Sequence, residues 1–204
     1  MANTGADVTI RLVSFRDRGS EASWVSDEAR KRARPGAPSV ILFPTHKALA
    51  DFSFELARQL GIDEPPNAVA RDRRARDYRP FNKYWEENEI ELQYLGNDQG
   101  SFTVGDQHPV VYMMTFASAK GLDFENVFIP GMSEGAFLVD TRATERSPDL
   151  DRRLLFVAVT RSRKNLFVSY PGKRPHRFVA NFPQDAAVPV RATVRATHDD
   201  EDLF

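Results

Sequence analysis

A run of small and polar residues between positions 115 and 123 follows the most apolar strand pattern of the chain. Thr115 and Ser118 carry hydroxyl groups, which can bind phosphate oxygens together with backbone N–H groups. Gly121 lets the backbone approach a second molecule closely, and Lys120 adds a positive charge that suits an anion. Asp123 can accept a hydrogen bond from a ribose hydroxyl. These residue types fit a phosphate-binding turn, and they equally fit an ordinary strand-to-loop turn with a surface lysine.

A second stretch is a helical pattern that ends in an arginine. Its members recur at spacings of four, three and four residues: Leu150, Leu154, Val157 and Arg161. An arginine in line with core leucines must reach the edge of the core or bind an anion, because an unpaired buried charge is costly. The guanidinium fork suits a phosphate, so one interpretation is an arginine finger directed at the γ-phosphate of ATP held by another domain. The other is a structural salt bridge, or a side chain that extends to solvent at the helix end.

Strand and helix patterns alternate in the first third of the chain. Strands are predicted at 8–13 and 39–43, and the second is apolar throughout, which is typical of a strand covered on both faces. A helical pattern follows each strand. The predicted buried faces of the two helices are Ala22, Val25, Ala29 and Ala33, and Leu49, Phe52, Leu56 and Leu60. We expect Thr45 to cap the second helix and Gly61 to end it. This alternation predicts a parallel α/β sheet.

Weaker patterns continue the same architecture. A short helix with Trp85 directed inward is predicted at 81–89. Further strands are predicted at 90–95, 110–115, 127–129 and 166–170. Ser147 is a predicted N-cap, followed by proline at the first helical position, and that helix is expected to run to about Arg161. We predict one domain over 1–182 and a loosely ordered polar and acidic tail over 183–204.

Composition excludes several kinds of site. The chain has 204 residues, no cysteine and a formal net charge of −1, so disulfides and thiol metal sites are excluded, and overall charge does not indicate nucleic-acid binding. The histidines show no ligand spacing, and no metal site is predicted. No apolar run approaches the roughly 20 residues of a membrane helix, and no signal peptide is visible. We therefore expect a cytoplasmic protein without a membrane partner. The arginines of 71–79 form either a solvated loop or a DNA-facing one.

Together the two stretches resemble motifs V and VI of superfamily 1 DNA helicases of the UvrD/Rep type. Residues 115–124 resemble the pattern T-x-H-x-x-K-G-L-E-F, and residues 151–161 resemble E-R-R-L-x-Y-V-A-x-T-R. The likeness extends over about 8–170. Three departures stand out: Ala117 replaces the usual His, Asp123 replaces Glu, and Phe156 replaces Tyr. Pro44 also stands where an arginine is common in the family.

The resemblance implies a RecA-like, P-loop NTPase-like three-layer domain with a mainly parallel sheet. It implies DNA contacts from Thr115 and Ser118, and the charge of Lys120 suits the same role. It places Gly121 and Asp123 near the nucleotide, and it assigns Arg161 as the arginine finger. The sequence contains no Walker A pattern G-x-x-x-x-G-K-[S/T]. In the family that pattern belongs to the first motor domain.

We therefore predict the C-terminal motor domain of an ATP-dependent DNA helicase. Its partners would be single-stranded DNA and an N-terminal RecA-like domain with Walker A and B. ATP and Mg²⁺ would bind the complete motor, whereas this chain alone would bind neither and would not hydrolyse ATP. A free-standing module that binds DNA or a partner motor is the second hypothesis. The third is an unrelated α/β domain with coincidental motifs, which Thr115 and Arg161 on opposite faces of the sheet would favour.

Overall fold

Six parallel strands form one sheet in the part of the chain that the computed structural model describes, residues 8–66, 78–96, 109–136 and 148–182. The strands are β1 (Thr9–Phe15), β2 (Ser39–Phe43), β3 (Leu92–Tyr94), β4 (Val111–Thr115), β5 (Phe124–Ile129) and β6 (Ser162–Pro171). Their order across the sheet is β1-β6-β5-β2-β4-β3, and each neighbouring pair is parallel. The predicted parallel α/β sheet is confirmed.

Helices cover both faces of the sheet. They are α1 (Arg18–Arg32), α2 (His46–Leu60), α3 (Arg79–Glu87) and α4 (Pro148–Val159). One hydrophobic cluster joins α1, α2 and α3 to the first face. A second cluster joins α4 and the segment after β4 to the other face. The architecture therefore has three layers, as the sequence predicted. None of the helices in the described ranges is long and apolar enough to cross a membrane.

The central strand β2 shows why an uninterrupted apolar run was needed. All five of its residues are buried. Ile41 and Phe43 belong to the cluster on the first face, and Val40 and Leu42 belong to the cluster on the second. Because successive side chains of a strand point to opposite faces, a strand between two helical layers must be apolar at every position.

Local signals fix the limits of α2. The Thr45 Oγ1 atom accepts a hydrogen bond from the Ala48 backbone N–H at 3.0 Å, which satisfies one of the free donors of the first turn. Gly61 follows the helix with φ of 68°, a left-handed conformation that glycine adopts at little cost. Both predictions are confirmed. In α3, Trp85 is fully buried, as expected for its inward direction.

The predicted face of α2 is wrong at its last residue. Leu49, Phe52 and Leu56 are buried, but Leu60 is 46% exposed. Leu60 lies 11 residues after Leu49, and its direction around the helix axis therefore differs by only about 20°. Its exposure therefore comes from its position at the end of the helix, where no further turn covers it.

The predicted face of α4 is also wrong. The helix buries Leu155 and Ala158, whereas Leu150 is 36% exposed. A rotation of about 100°, one residue, separates the observed face from the predicted one. Neighbouring leucines at 154 and 155 made both faces apolar, so the periodicity could not select between them. The helix ends at Val159, and Arg161 therefore lies in the turn after α4 rather than on it.

Several strand limits differ from the sequence patterns. β5 begins at Phe124 and β6 at Ser162, which is earlier than the predicted starts at 127 and 166. The two strands continue to pair through polar residues at their amino ends. β3 is shorter than predicted, with three residues. Some predictions lie outside the described residues: the arginines at 71, 73, 74 and 76, the helix start at Ser147, and the tail 183–204 with its acidic end.

Substitution of Leu56 tests the observed face of α2. Leu56→Ala should lower the free energy of unfolding by about 2–5 kcal/mol, because a fully buried side chain leaves a cavity. Leu60→Ala, the matched control four residues later, should change it by about 0.5 kcal/mol or less. Urea unfolding followed by circular dichroism measures both. Equal losses would show that the last turn of α2 contributes to the core after all.

Candidate functional site

The segment 116–123 connects two parallel strands. It must therefore run back along the sheet from the carboxyl ends of the strands (the carboxyl edge) to their amino ends (the amino edge). Thr115 ends β4 beside Phe43 at the carboxyl edge. Phe124 begins β5 beside Ser162, the first residue of β6, at the amino edge. Phe116 and Ala119 are fully buried in the cluster of the second face. The two halves of this segment therefore lie at opposite ends of the strands.

The first half of this crossover is organised by the Thr115 hydroxyl. Thr115 is only 4% exposed, and its Oγ1 atom lies 2.8 Å from the Ser118 hydroxyl oxygen. The same Oγ1 accepts a hydrogen bond from the Ser118 backbone N–H at 3.2 Å. Thr115 therefore stabilises the turn, while Ser118 is half-buried and Lys120 is exposed at its surface. Of the three predicted DNA-binding residues, Ser118 and Lys120 are the accessible ones.

The second half of the crossover meets Arg161 at the amino edge. The Arg161 Nε atom donates to the Val157 carbonyl oxygen at 2.9 Å, and Nη1 donates to the Leu122 carbonyl oxygen at 3.1 Å. Nη2 donates to the Thr160 hydroxyl at 3.1 Å. Nη1 also lies 3.6 Å from an Asp123 carboxylate oxygen. The guanidinium is 20% exposed and well partnered, so the costly unpaired burial considered from the sequence does not arise.

Asp123 lies between two arginines. Its second carboxylate oxygen is 3.3 Å from Arg163 Nη2, and the side chain is 41% exposed. Gly121 precedes it with φ of 86°, a conformation that glycine adopts without strain. The backbone is open there, because a Cβ atom at Gly121 would meet nothing within 4 Å. The structure thus brings together Gly121, Asp123 and Arg161, the three residues that the sequence analysis assigned to a nucleotide.

The two groups of predicted residues lie at opposite ends of the strands. The crossover and α4 both pack on the second face, whereas Thr115 itself follows Val111 and Met113 of the first face in the alternation of β4. The Phe124 backbone N–H donates to the Arg161 carbonyl oxygen at 2.8 Å, which fixes the end of α4 against the start of β5. One continuous segment of the chain therefore runs from the turn at Ser118 to the residues that contact the arginine. In the described ranges, no group of three His, Asp or Glu side chains could hold a metal ion.

A cleft that the sequence analysis missed lies at the carboxyl edge. Its volume is about 400 Å³, and it lies between the starts of α1 and α2 and the ends of β2, β5 and β6. Glu21 of α1 lines it and is only 3% exposed. One Glu21 carboxylate oxygen accepts from the Gly131 backbone N–H at 2.9 Å and from the Ser169 hydroxyl at 2.6 Å. Burial raises the pKa of Glu21 to about 7.

The signal for this cleft was present in the sequence but ambiguous. Glu21 lies four residues before Val25 and eight before Ala29, so it shares the buried face of α1. A lone acid next to that face is more commonly read as the edge of a solvated surface. Only the tertiary structure brings Gly131 and Ser169, more than 100 residues away in sequence, to the same carboxylate.

The parallel six-stranded sheet between two helical layers is that of a RecA-like α/β domain. Residues 85–173 match the family model of the UvrD-like helicase C-terminal domain. This part of the chain is thus similar to the C-terminal domain of UvrD/Rep-type helicases, and the resemblance noted from the sequence is confirmed.

Parts of this chain are similar to several known proteins. DNA helicase II of Escherichia coli is 40% identical over 117 residues, which cover 52% of this chain and 16% of the relative. DNA helicase II of Haemophilus influenzae is 34% identical over 112 residues, covering 49% and 15%. ATP-dependent DNA helicase Rep of Buchnera aphidicola (Acyrthosiphon pisum) is 35% identical over 92 residues, covering 40% and 14%. The matches thus span about one sixth of these relatives' length. Among solved structures, the C-terminal domain of a possible Lactobacillus DNA helicase aligns with a TM-score of 0.49 at 12% identity, over 83% of this chain and 77% of that chain.

The buried carboxyl of Glu21 should make stability depend on pH. Its folded pKa of about 7 lies above the ordinary value of 4.5, so between these pH values the folded protein holds a proton that the unfolded chain releases. The free energy of unfolding should therefore fall as pH rises from about 4.5 to about 7, by roughly 3 kcal/mol from this group. Glu21→Gln should remove this part of the pH dependence.

Urea unfolding at several pH values between 5 and 8 measures this effect. Glu55→Gln is the control, since Glu55 lines the same cleft but is more exposed. The explanation fails if Glu21→Gln and the unsubstituted chain lose stability equally as the pH rises.

Proposed function

We propose that this chain supplies the second motor domain of an ATP-dependent DNA helicase. In the complete motor, Arg161 acts as the arginine finger on a nucleotide held by an N-terminal RecA-like domain. The observation that carries the proposal is the approach of Gly121, Asp123 and Arg161 at one edge, together with the family match of residues 85–173. ATP with Mg²⁺ supplies the phosphoryl group whose hydrolysis releases the free energy for movement.

The residues at the amino edge fit a nucleotide phosphate. Arg161 and Arg163 together carry two positive charges against the single carboxylate of Asp123, which leaves a net positive charge. The guanidinium of Arg161 is partly exposed, and its planar fork suits phosphate oxygens. The exposed backbone at Gly121 allows close approach by a ligand.

Hydrogen bonds to residues just before it in the chain already orient the Arg161 side chain. Its Nε atom is held by the Val157 carbonyl oxygen, and Nη2 is held by the Thr160 hydroxyl. The contact with Asp123 is longer, at 3.6 Å, and belongs to a more exposed partner. We expect the finger to exchange the carboxylate for phosphate oxygens while the contact with Val157 persists. A guanidinium held in this way stabilises the charge that develops during phosphoryl transfer, because little reorganisation is then needed.

The turn at the other end of the crossover would contact single-stranded DNA. Ser118 offers a hydroxyl and Lys120 a positive charge, and neither group reads base identity. Thr115 would act indirectly, since its hydroxyl holds the turn that presents Ser118. Contacts of this kind make binding tolerant of sequence and sensitive to salt. Because one short segment joins this turn to Arg161, closure around ATP would move both together.

Replacement of Arg161 tests the arginine finger. In the complete motor, Arg161→Ala should lower kcat for ATP hydrolysis by about 10³–10⁵-fold, because charge on the transferred group loses its partner. Arg163→Ala is the matched control, as it removes the same charge from beside the same aspartate. It should change kcat by no more than a few-fold. Comparable losses in both variants would mean that general positive charge, rather than a finger, is needed.

The isolated 204-residue chain should not turn over ATP. Purified chain is assayed for phosphate release with and without single-stranded DNA. Steady turnover that is lost in Arg161→Ala would contradict the proposal. Tight binding of single-stranded DNA by this chain without any nucleotide would instead favour a free-standing DNA-binding module.

Replacement of Lys120 tests the DNA contact. Lys120→Ala should weaken binding of single-stranded DNA for all sequences alike and should reduce the slope of log K against log salt by about 1. Lys83→Ala, which removes an exposed cation of α3 paired with Glu87, is the control and should leave the slope unchanged. Fluorescence anisotropy over a salt series measures both. An unchanged slope for Lys120→Ala would remove this residue from the interface.

A further inference from the structure

The cleft at the carboxyl edge is acidic, although we propose that the same domain contacts DNA. Six charged side chains line it: Arg18, Glu21, Lys47, Asp51, Glu55 and Glu134. Four acids against two cations leave an excess of negative charge. A phosphate group would therefore be repelled from this cleft, whereas a cation would be attracted.

The existing cations of the lining are already engaged. Lys47 contacts both carboxylate oxygens of Asp51, at 2.8 and 2.7 Å. Arg18 lies 3.9 Å from the same aspartate. Glu55 is paired with Arg58, and Glu134 lies 3.9 Å from Arg174. In the described part of the chain, Glu21 is thus the lining carboxylate that has no ion pair.

Glu21 has one carboxylate oxygen left for a ligand. Both of its hydrogen bonds, from Gly131 and Ser169, use the same oxygen. Among the described residues, the other oxygen has no partner, although the side chain is almost completely buried and lines the cleft. A buried carboxylate with a free oxygen favours a charged donor, because such a hydrogen bond offsets the cost of its desolvation.

The walls of the cleft suit an aliphatic stem. Phe43 and Phe52 contribute aromatic surface, and Pro44, Pro130 and Pro171 contribute rigid apolar surface. A volume of about 400 Å³ is in the range of sites that hold small ligands. An apolar wall that ends at a carboxylate matches a side chain with an alkyl stem and a cationic head.

We propose that this cleft binds one arginine or lysine side chain of a protein partner, with its alkyl stem against the apolar wall and its cationic head at the free oxygen of Glu21. Arginine fits better, because its fork can bind Glu21 and a second acid of the mouth at once. The site is separate from Arg161, which lies at the opposite edge of the sheet. The proposal therefore does not depend on ATP or DNA binding.

Nuclear magnetic resonance of the full 204-residue chain tests this site. The probe is a capped Gly-Arg-Gly peptide, and the neutral control is the same peptide with citrulline in place of arginine. The arginine peptide should shift the Gly131 amide resonance in a saturable manner, and the citrulline peptide should not. Glu21→Gln keeps an acceptor for Gly131 and Ser169, and it should weaken binding about tenfold or more. Glu28→Gln, on the same helix but paired with Arg32, should leave binding unchanged.

A proton-release measurement separates direct binding from a structural role of Glu21. A cationic ligand favours the charged carboxylate, so binding near neutral pH should lower the pKa of Glu21 and release a proton. Calorimetry in two buffers with different ionisation enthalpies counts that proton. The other charged groups that line the cleft are Arg18 of α1, Lys47, Asp51 and Glu55 of α2, and Glu134 after β5. Burial raises the pKa of Glu21 to about 7, so Glu21→Gln should abolish the release.

Three results would overturn the proposal. The first is equal shifts from the arginine and citrulline peptides, and the second is unchanged affinity in Glu21→Gln. The third is a saturable shift of the Gly131 amide by inorganic phosphate or by oligo-dT, which would make the cleft an anion site. Arg161→Ala should leave peptide binding unchanged, so failure of the helicase proposal and failure of this one are distinguishable.

Discussion

The direction of parallel strands is the constraint on which the candidate site depends. β4 and β5 run the same way, so the chain between them must return from the carboxyl edge to the amino edge. It does so in the short segment 116–123, with Phe116 and Ala119 buried against the sheet. Because protein interiors are close-packed, displacement of either end of this short crossover would disturb the buried residues between them. Ser118 and Asp123 thus lie at the two ends of one packed segment.

Electrostatics then give the two edges different characters. At the amino edge, two arginines face the single carboxylate of Asp123, and the excess charge is positive. At the carboxyl edge, acids exceed cations in the cleft beside β2. Neither character follows from the net charge of −1, since opposite local charges cancel in the sum. Local arrangement rather than total charge therefore determines what each edge can bind.

Sequence patterns predicted the parts of this fold that local physics determines. The uniform burial of β2, the Thr45 cap and the left-handed Gly61 each follow from short-range requirements. The errors occurred where several local solutions were equally good. Neighbouring leucines allowed two faces for α4, and helical periodicity could not show that Leu60 lies beyond the packed layer. The cleft at Glu21 could not be predicted from the sequence, because Gly131 and Ser169, which bind the Glu21 carboxylate, are distant from it in the chain.

The acidic cleft also limits where a nucleic acid can lie on the proposed DNA surface. Phe43, whose carbonyl oxygen accepts from the Phe116 backbone N–H at 2.9 Å, lines the cleft and also adjoins the turn that carries Lys120. The acids of the cleft would repel a phosphate chain near this turn, so electrostatics favour a separate location for the proposed DNA contact and for the proposed cationic side chain.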